Sequence, residues 1–149
     1  MAVVPYDDTA IENDDTVIRR VSQYHIVTDK NGAEPRRRLS SSAFNKSEGP
    51  RAGMSIDLEN LMFEDQVNPR EFVITPVFTG AVSFCAGNAR DLDLMIGREP
   101  IMDDPNQPDN PYHGEVWRKE EARKFTNSQS KGLQRSAKWY DPLDGVDNC

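Results

Sequence analysis

Glu71-Phe-Val-Ile-Thr-Pro-Val-Phe-Thr-Gly-Ala-Val-Ser-Phe-Cys-Ala86 contains the longest weakly polar run of the chain, and the fold class turns on it. Residues 72–78 and 80–86 are apolar on both faces, as central strands are, and Pro76 and Gly80 mark a bulge or bend between them. Upstream, residues 16–28 are rich in Val, Ile and Tyr and run into Asp29-Lys-Asn-Gly32, which predicts a strand and a tight turn in which Asn-Gly supplies positive φ. Met54, Leu58, Leu61 and Met62 fall at i, i+4, i+7 and i+8, the spacing of a short amphipathic helix with Ser55 near its start, although 54–58 reads equally as a strand. Downstream, Asn88 is placed to cap a helix over 89–96 that Gly97 closes. Residues 99–111 hold Pro100, Pro105, Pro108 and Pro111 and must loop, because each proline lacks an N–H and restricts its predecessor. Residues 112–118 alternate as a strand with His113, Glu115 and Trp117 on one side, and a last helix is expected over 133–140, stopped by Pro142. Strands mixed with short helices, without regular βαβ alternation, predict an α+β domain: a small, mostly antiparallel sheet with two or three short helices over 16–140. A flexible, disordered acidic arm over 1–15 and an acidic tail over 141–149 are expected outside it.

At 149 residues the chain is one domain's worth, long enough to bury a core without disulfides or metals. Leu, Ile, Val and Phe make up roughly 21% of it, just above the level below which charged chains stay disordered, so the core is modest. No run approaches the roughly 20 apolar residues of a membrane-spanning helix. Met1 to Asp8 has no basic region followed by an apolar one, so it does not read as a secretory signal, and a cytoplasmic location is expected. With only Cys85 and Cys149, a zinc site built from cysteines is excluded by number, and a bridge between an apolar run and the last residue of an acidic tail is not expected. No metal is expected.

The formal net charge is −7 and the pI about 4.8, but the charges are segregated. Asp7, Asp8, Glu12, Asp14 and Asp15 form an acidic block; Lys30, Arg36, Arg37, Arg38, Lys46 and Arg51 form a basic one. Arg118, Lys119, Arg123, Lys124, Lys131, Arg135 and Lys138 form a second basic block. Such blocks either neutralise one another or face a charged partner. The binding residues expected under the second reading are Arg36, Arg37, Arg38, Arg118, Lys119 and Arg123, with Trp117 as an aromatic contact.

Motifs for common chemistries are missing: there is no Gly-x-Gly-x-x-Gly, no phosphate loop, no nucleophile elbow and no His-Glu-x-x-His. His113-Gly-Glu115 has the His-x-Glu spacing of a zinc deaminase, but the Pro-Cys-x-x-Cys that must follow is missing, and the plainer reading sets both on the solvent side of a strand. Asp103, Asp104 and Asp109 lack the loop glycine and the twelfth-position glutamate of an EF-hand. His25 is expected in the first strand as a satisfied, partly buried histidine. Arg19-Arg20 in the first strand, Ser40-Ser41-Ser42, and Glu115 in a late strand follow one another in an order that resembles ADP-ribosyltransferases of the Arg–Ser–Glu type. That resemblance implies an arginine on a phosphate of NAD, serines shaping the nicotinamide pocket and a glutamate supporting ribose chemistry; the plainer reading of the serines is a helix cap or Ser turn.

Three function classes follow. The leading one is an accessory protein that binds a partner macromolecule, a protein rather than a nucleic acid, without cofactor or membrane. The second is a small enzyme acting on a nucleotide such as NAD through a catalytic set of Arg20, Ser41, His113 and Glu115. The third is a nucleic-acid accessory protein, whose binding would weaken steeply with salt.

Overall fold

The computed structural model describes residues 5–30, 32, 36–46, 53–119, 124–143 and 146. Among these residues eight strands follow in chain order: β1 (Thr16–Val21), β2 (Ile26–Asp29), β3 (Arg36–Leu39), β4 (Met54–Leu58), β5 (Gly80–Cys85), β6 (Leu94–Arg98), β7 (His113–Arg118) and β8 (Lys138–Asp141). They are joined by four short α-helices: α1 (Glu59–Glu64), α2 (Pro69–Val73), α3 (Ala86–Arg90) and α4 (Asn127–Ser136). Six strands form one antiparallel sheet in the order β6-β7-β4-β1-β5-β8, while β2 and β3 form a separate two-stranded hairpin. The fold is a small, mostly antiparallel α+β domain, as the pattern predicts.

Alternation along the strands gives the sheet two covered faces. Val17, Val21, Ile56, Leu58, Phe84, Ile96 and Val116 point to the main core, which is closed by Leu39, Phe44, α3 and Leu133 of α4. Each fully buried side chain of this size contributes roughly 1.5–3 kcal/mol against the entropy of ordering the chain. Hydrogen bonds hold α4 down: Ser130 Oγ donates to the Phe44 carbonyl at 2.7 Å in a buried contact, and Gln134 Nε2 to that of Leu39 at 2.8 Å in a part-buried one. On the opposite face Ile18 and Ala81 meet Met62, Val73 and Tyr112 under α1 and α2.

Four local expectations change. Residues 72–78 are not a strand: Asn68 accepts from the Arg70 amide at 3.0 Å and Pro69 opens α2, so Phe72 and Val73 are helical. The helix expected over 89–96 ends at Arg90. The Asn88 side chain folds back onto the Cys85 amide at 2.9 Å, Asp93 takes a positive φ of 60°, and 94–98 become β6. The last helix lies earlier, over Asn127–Ser136, where Thr126 and Gln129 cap reciprocally, and Trp139 and Tyr140 belong to β8. The single strand expected over 16–28 is broken: a one-turn 3-10 segment over Gln23–His25 holds His25 and separates β1 from β2, which lie in different sheets, and Asn31 of the expected turn lies outside the described residues. The two readings of 54–62 are both realised in part, since β4 takes Met54–Leu58 and α1 follows directly from it.

The described part of the acidic arm is hydrogen-bonded to the edge of the main sheet. The Asp8 amide donates to the Ile96 carbonyl at 2.9 Å, Asp7 accepts from the Ile96 amide at 3.1 Å, and Arg90 donates to both Asp7 and the Asp8 carbonyl. Past residue 140, Asp141 is still in β8 and Leu143 is buried in the main core.

Candidate functional site

A row of polar side chains crosses the face of the sheet away from the main core, drawn from β1, β4, β7 and the residue after β6. The register puts Asp57 of β4 opposite His113 of β7, and Ser55 opposite Glu115. Arg20 on β1 reaches across to Asp57, donating from Nε at 2.9 Å and from Nη2 at 3.3 Å, and Asn110 Nδ2 donates to the same carboxylate at 2.8 Å. The guanidinium also lies over the Phe72 ring, 5.6 Å from its centroid. Asp57, with a side chain only 4% exposed, is thus fully engaged.

His113 and Glu115, two apart on β7, share this face, and their side chains are each 9% exposed. The solvent-side placement expected for them is therefore wrong: neighbouring segments cover a strand whose alternation resembles a half-exposed one. His113 Nδ1 lies 2.7 Å from the Glu99 carbonyl. A carbonyl can only accept, so Nδ1 carries the proton and, in the neutral ring, Nε2 presents its lone pair. That Nε2 is 3.7 Å from Glu115 Oε1. Glu115 Oε2 is buried with no hydrogen-bond partner among the described residues. Burial first, and then the charge of Glu99, pushes the Glu115 carboxyl up to about 7, against the opposing pull of Arg19 and the Gly53 amide. Glu99, half-buried, is also raised by burial, with His113 opposing. Glu99, His113 and Glu115 each offer one ligand atom, and these atoms all lie within 4.8 Å of one another.

Of the residues named from sequence, Arg20, His113 and Glu115 share a face, with Arg20 joined to the histidine's neighbourhood through Asp57. Ser41 is not with them: it opens the 3-10 turn capped by the Ser40 side chain, whose Ala43 and Phe44 are buried in the main core on the other side of the sheet. Arg19 points to that side and donates to the Ala43 and Ser55 carbonyls, each at 3.0 Å. Arg36, Arg37 and Arg38 are exposed on β3, and Arg37 donates to Gln23 Oε1 at 3.1 Å. Arg118 donates to the Lys124 carbonyl at 3.3 Å, Lys119 pairs with Asp93 at 3.5 Å, and Arg123 lies outside the described residues.

Trp117 is not available as an aromatic contact. It is 1% exposed, packed against Gly53, Gly97 and Tyr6, so its ring is not presented to a partner. Glu99 and Asp57 did not stand out in the sequence as site residues. Glu99 comes beside His113 only because β6 and β7 pair: one residue beyond the end of β6, its amide continues the ladder by donating to the His113 carbonyl at 2.9 Å. Asp57 looks like any polar position of an alternating strand until the register sets it opposite His113 and beside Arg20.

Comparison of the chain with protein-family models, curated proteins and solved structures finds no match. Among the described residues no helix is long and apolar enough to cross a membrane.

Proposed function

We propose that the protein acts by binding a partner macromolecule, and that the β2–β3 hairpin presents the contact. The observation behind this reading is the hairpin's make-up. It stands apart from the main sheet and carries exposed Arg36, Arg37 and Arg38, with Val27 paired to Arg38 and Tyr24, 93% exposed, at its base. Arginine beside an exposed aromatic ring is the composition of binding hot spots, and a basic hairpin on a chain of net charge −7 selects for an acidic surface. A protein partner is favoured over nucleic acid, because a phosphate backbone, with one charge per roughly 1.7 Å, is opposed by a net charge of −7 more strongly than a sparser acidic protein patch is. The setting is the cytoplasm, a choice supported by an exposed free thiol at Cys85.

The test is a triple charge reversal, Arg36→Glu, Arg37→Glu and Arg38→Glu, assayed with a labelled poly-glutamate peptide and a labelled single-stranded oligonucleotide over a salt series. Peptide binding that the reversal abolishes supports the reading. Oligonucleotide binding lost in the same variant hands the hairpin to nucleic acid. Binding that the reversal leaves unchanged, or a wild-type protein that binds neither probe, removes the hairpin as an acid-seeking contact. The second reading, an enzyme acting on a nucleotide such as NAD, is favoured by Arg20, His113 and Glu115 sharing one face. Calorimetric titration with NAD decides it, and no heat of binding ends it.

A further inference from the structure

We infer that Glu99, His113 and Glu115 form a binding site for a divalent transition-metal ion. The inference is independent of the hairpin reading and rests on three observations. The donor set is mixed: one imidazole nitrogen and two carboxylates, held by the pairing of β6 with β7 and by the Glu99–His113 backbone hydrogen bond. Imidazole suits zinc and its neighbours in the first transition row, and carboxylate oxygens complete such sites, whereas magnesium and calcium favour all-oxygen sets.

The histidine is already oriented. With Nδ1 held on the Glu99 carbonyl, Nε2 is the free donor, the arrangement by which outer partners fix the ring of metal-binding histidines. Nε2 and Glu115 Oε1 are 3.7 Å apart, and two donors on a tetrahedral zinc ion with bonds of about 2.0 Å stand about 3.3 Å apart. A rotation of the Glu115 side chain closes that gap with the His113 ring kept on the Glu99 carbonyl, and the Glu99 carboxylate, within 4.8 Å of both donors, moves in with it.

The site also lacks something. The Glu115 side chain is nine-tenths buried, and its Oε2 has no partner among the described residues. A buried carboxylate with an unpaired oxygen is costly, and a cation shared between its two oxygens is a group that satisfies it while offsetting the second carboxylate at Glu99. Glu99, half-buried, marks the side from which an ion enters. Three protein donors leave a coordination position for water or a substrate oxygen, the pattern of catalytic rather than structural zinc.

The experiment is calorimetric titration of chelator-treated, full-length protein with Zn²⁺ alone and, separately, with Mg²⁺. The expected result is one equivalent of Zn²⁺ bound, a rise in Tm on addition of Zn²⁺, and much weaker binding of Mg²⁺. Glu115→Gln keeps the shape of the side chain and is expected to lower Zn²⁺ affinity at least tenfold. Glu99→Gln, at the more exposed position, is expected to do the same and decides the matter if the first variant fails to fold. No saturable Zn²⁺ binding by the folded wild-type protein overturns the proposal. Binding undiminished in folded Glu99→Gln also overturns it and places the ion elsewhere, such as on the loop carrying Asp103, Asp104 and Asp109.

Discussion

Replacing Asp57 with alanine tests whether the polar row is a connected network. The carboxylate receives two hydrogen bonds from Arg20, at 2.9 and 3.3 Å, and one from Asn110, at 2.8 Å. Truncation leaves a guanidinium and an amide without their acceptor. Breaking a buried pair from one side typically costs about 3–5 kcal/mol. The Arg20 side chain is 23% exposed and can turn partly to water, which sets the expectation at the lower end, about 3 kcal/mol. For a chain of this length that is a fall in Tm of roughly 6–12 °C. Arg20→Met alone should cost a similar amount, because it strands the carboxylate. The double variant Arg20→Met/Asp57→Leu removes both charges and should return to within about 1 kcal/mol of wild type. Urea unfolding followed by tryptophan fluorescence measures all four proteins. A loss below about 1 kcal/mol in Asp57→Ala, or a double variant as unstable as the two single changes added together, is incompatible with a connected network.

Stability should also depend on His25. Its ring is half-buried, and burial first, then the charge of Arg19, lowers its pKa from 6.5 to about 4, while Nδ1 accepts from the Ser22 amide at 3.1 Å. Between about pH 6.5 and 4 the unfolded chain takes up a proton that the folded chain refuses, so this contribution is fully present above pH 6.5 and is lost as pH falls. Comparing wild type with His25→Gln by urea unfolding at pH 7 and pH 5 should give a relative loss in wild type of about 1 kcal/mol, after allowance for screening at a half-exposed ring. An equal change in both proteins would contradict it. Gly97→Ala should loosen the N-terminal segment, because a Cβ there would lie 2.9 Å from Trp117 and from Tyr6, and only the partly exposed Tyr6 can yield. A destabilisation of about 1–3 kcal/mol with a changed Trp117 emission is expected, and an unaltered spectrum would count against that packing.

The strands with the clearest alternation or richest β-branched content are legible from residues alone: β5 and β7 lie where the pattern puts them, and β1 takes the first part of the strand expected over 16–28, whose remainder becomes β2 of the separate hairpin. Residues 72–78 are not, because an apolar run on both faces has no period to separate strand from buried helix. There the usable signal is Asn68-Pro69, a cap followed by a helix-opening proline. The reciprocal cap of Thr126 and Gln129 is equally readable and places the start of α4 at Asn127, well before the apolar Leu133 that suggests it. At the site, His113 and Glu115 stand out through their spacing, but their burial does not, because their cover arrives from segments outside their own strand.

Local periodicity and composition are enough for the α+β class, for the segregation of charge and for the pairing of His113 with Glu115 on one side of a strand. Each of these is a property of neighbours along the chain. That Glu99 joins the pair, that Asp57 binds Arg20, and that Ser41 lies across the sheet from all of them are properties of neighbours in space. They depend on which strands hydrogen-bond and in what register, and a shift of one residue would send each side chain to the opposite face.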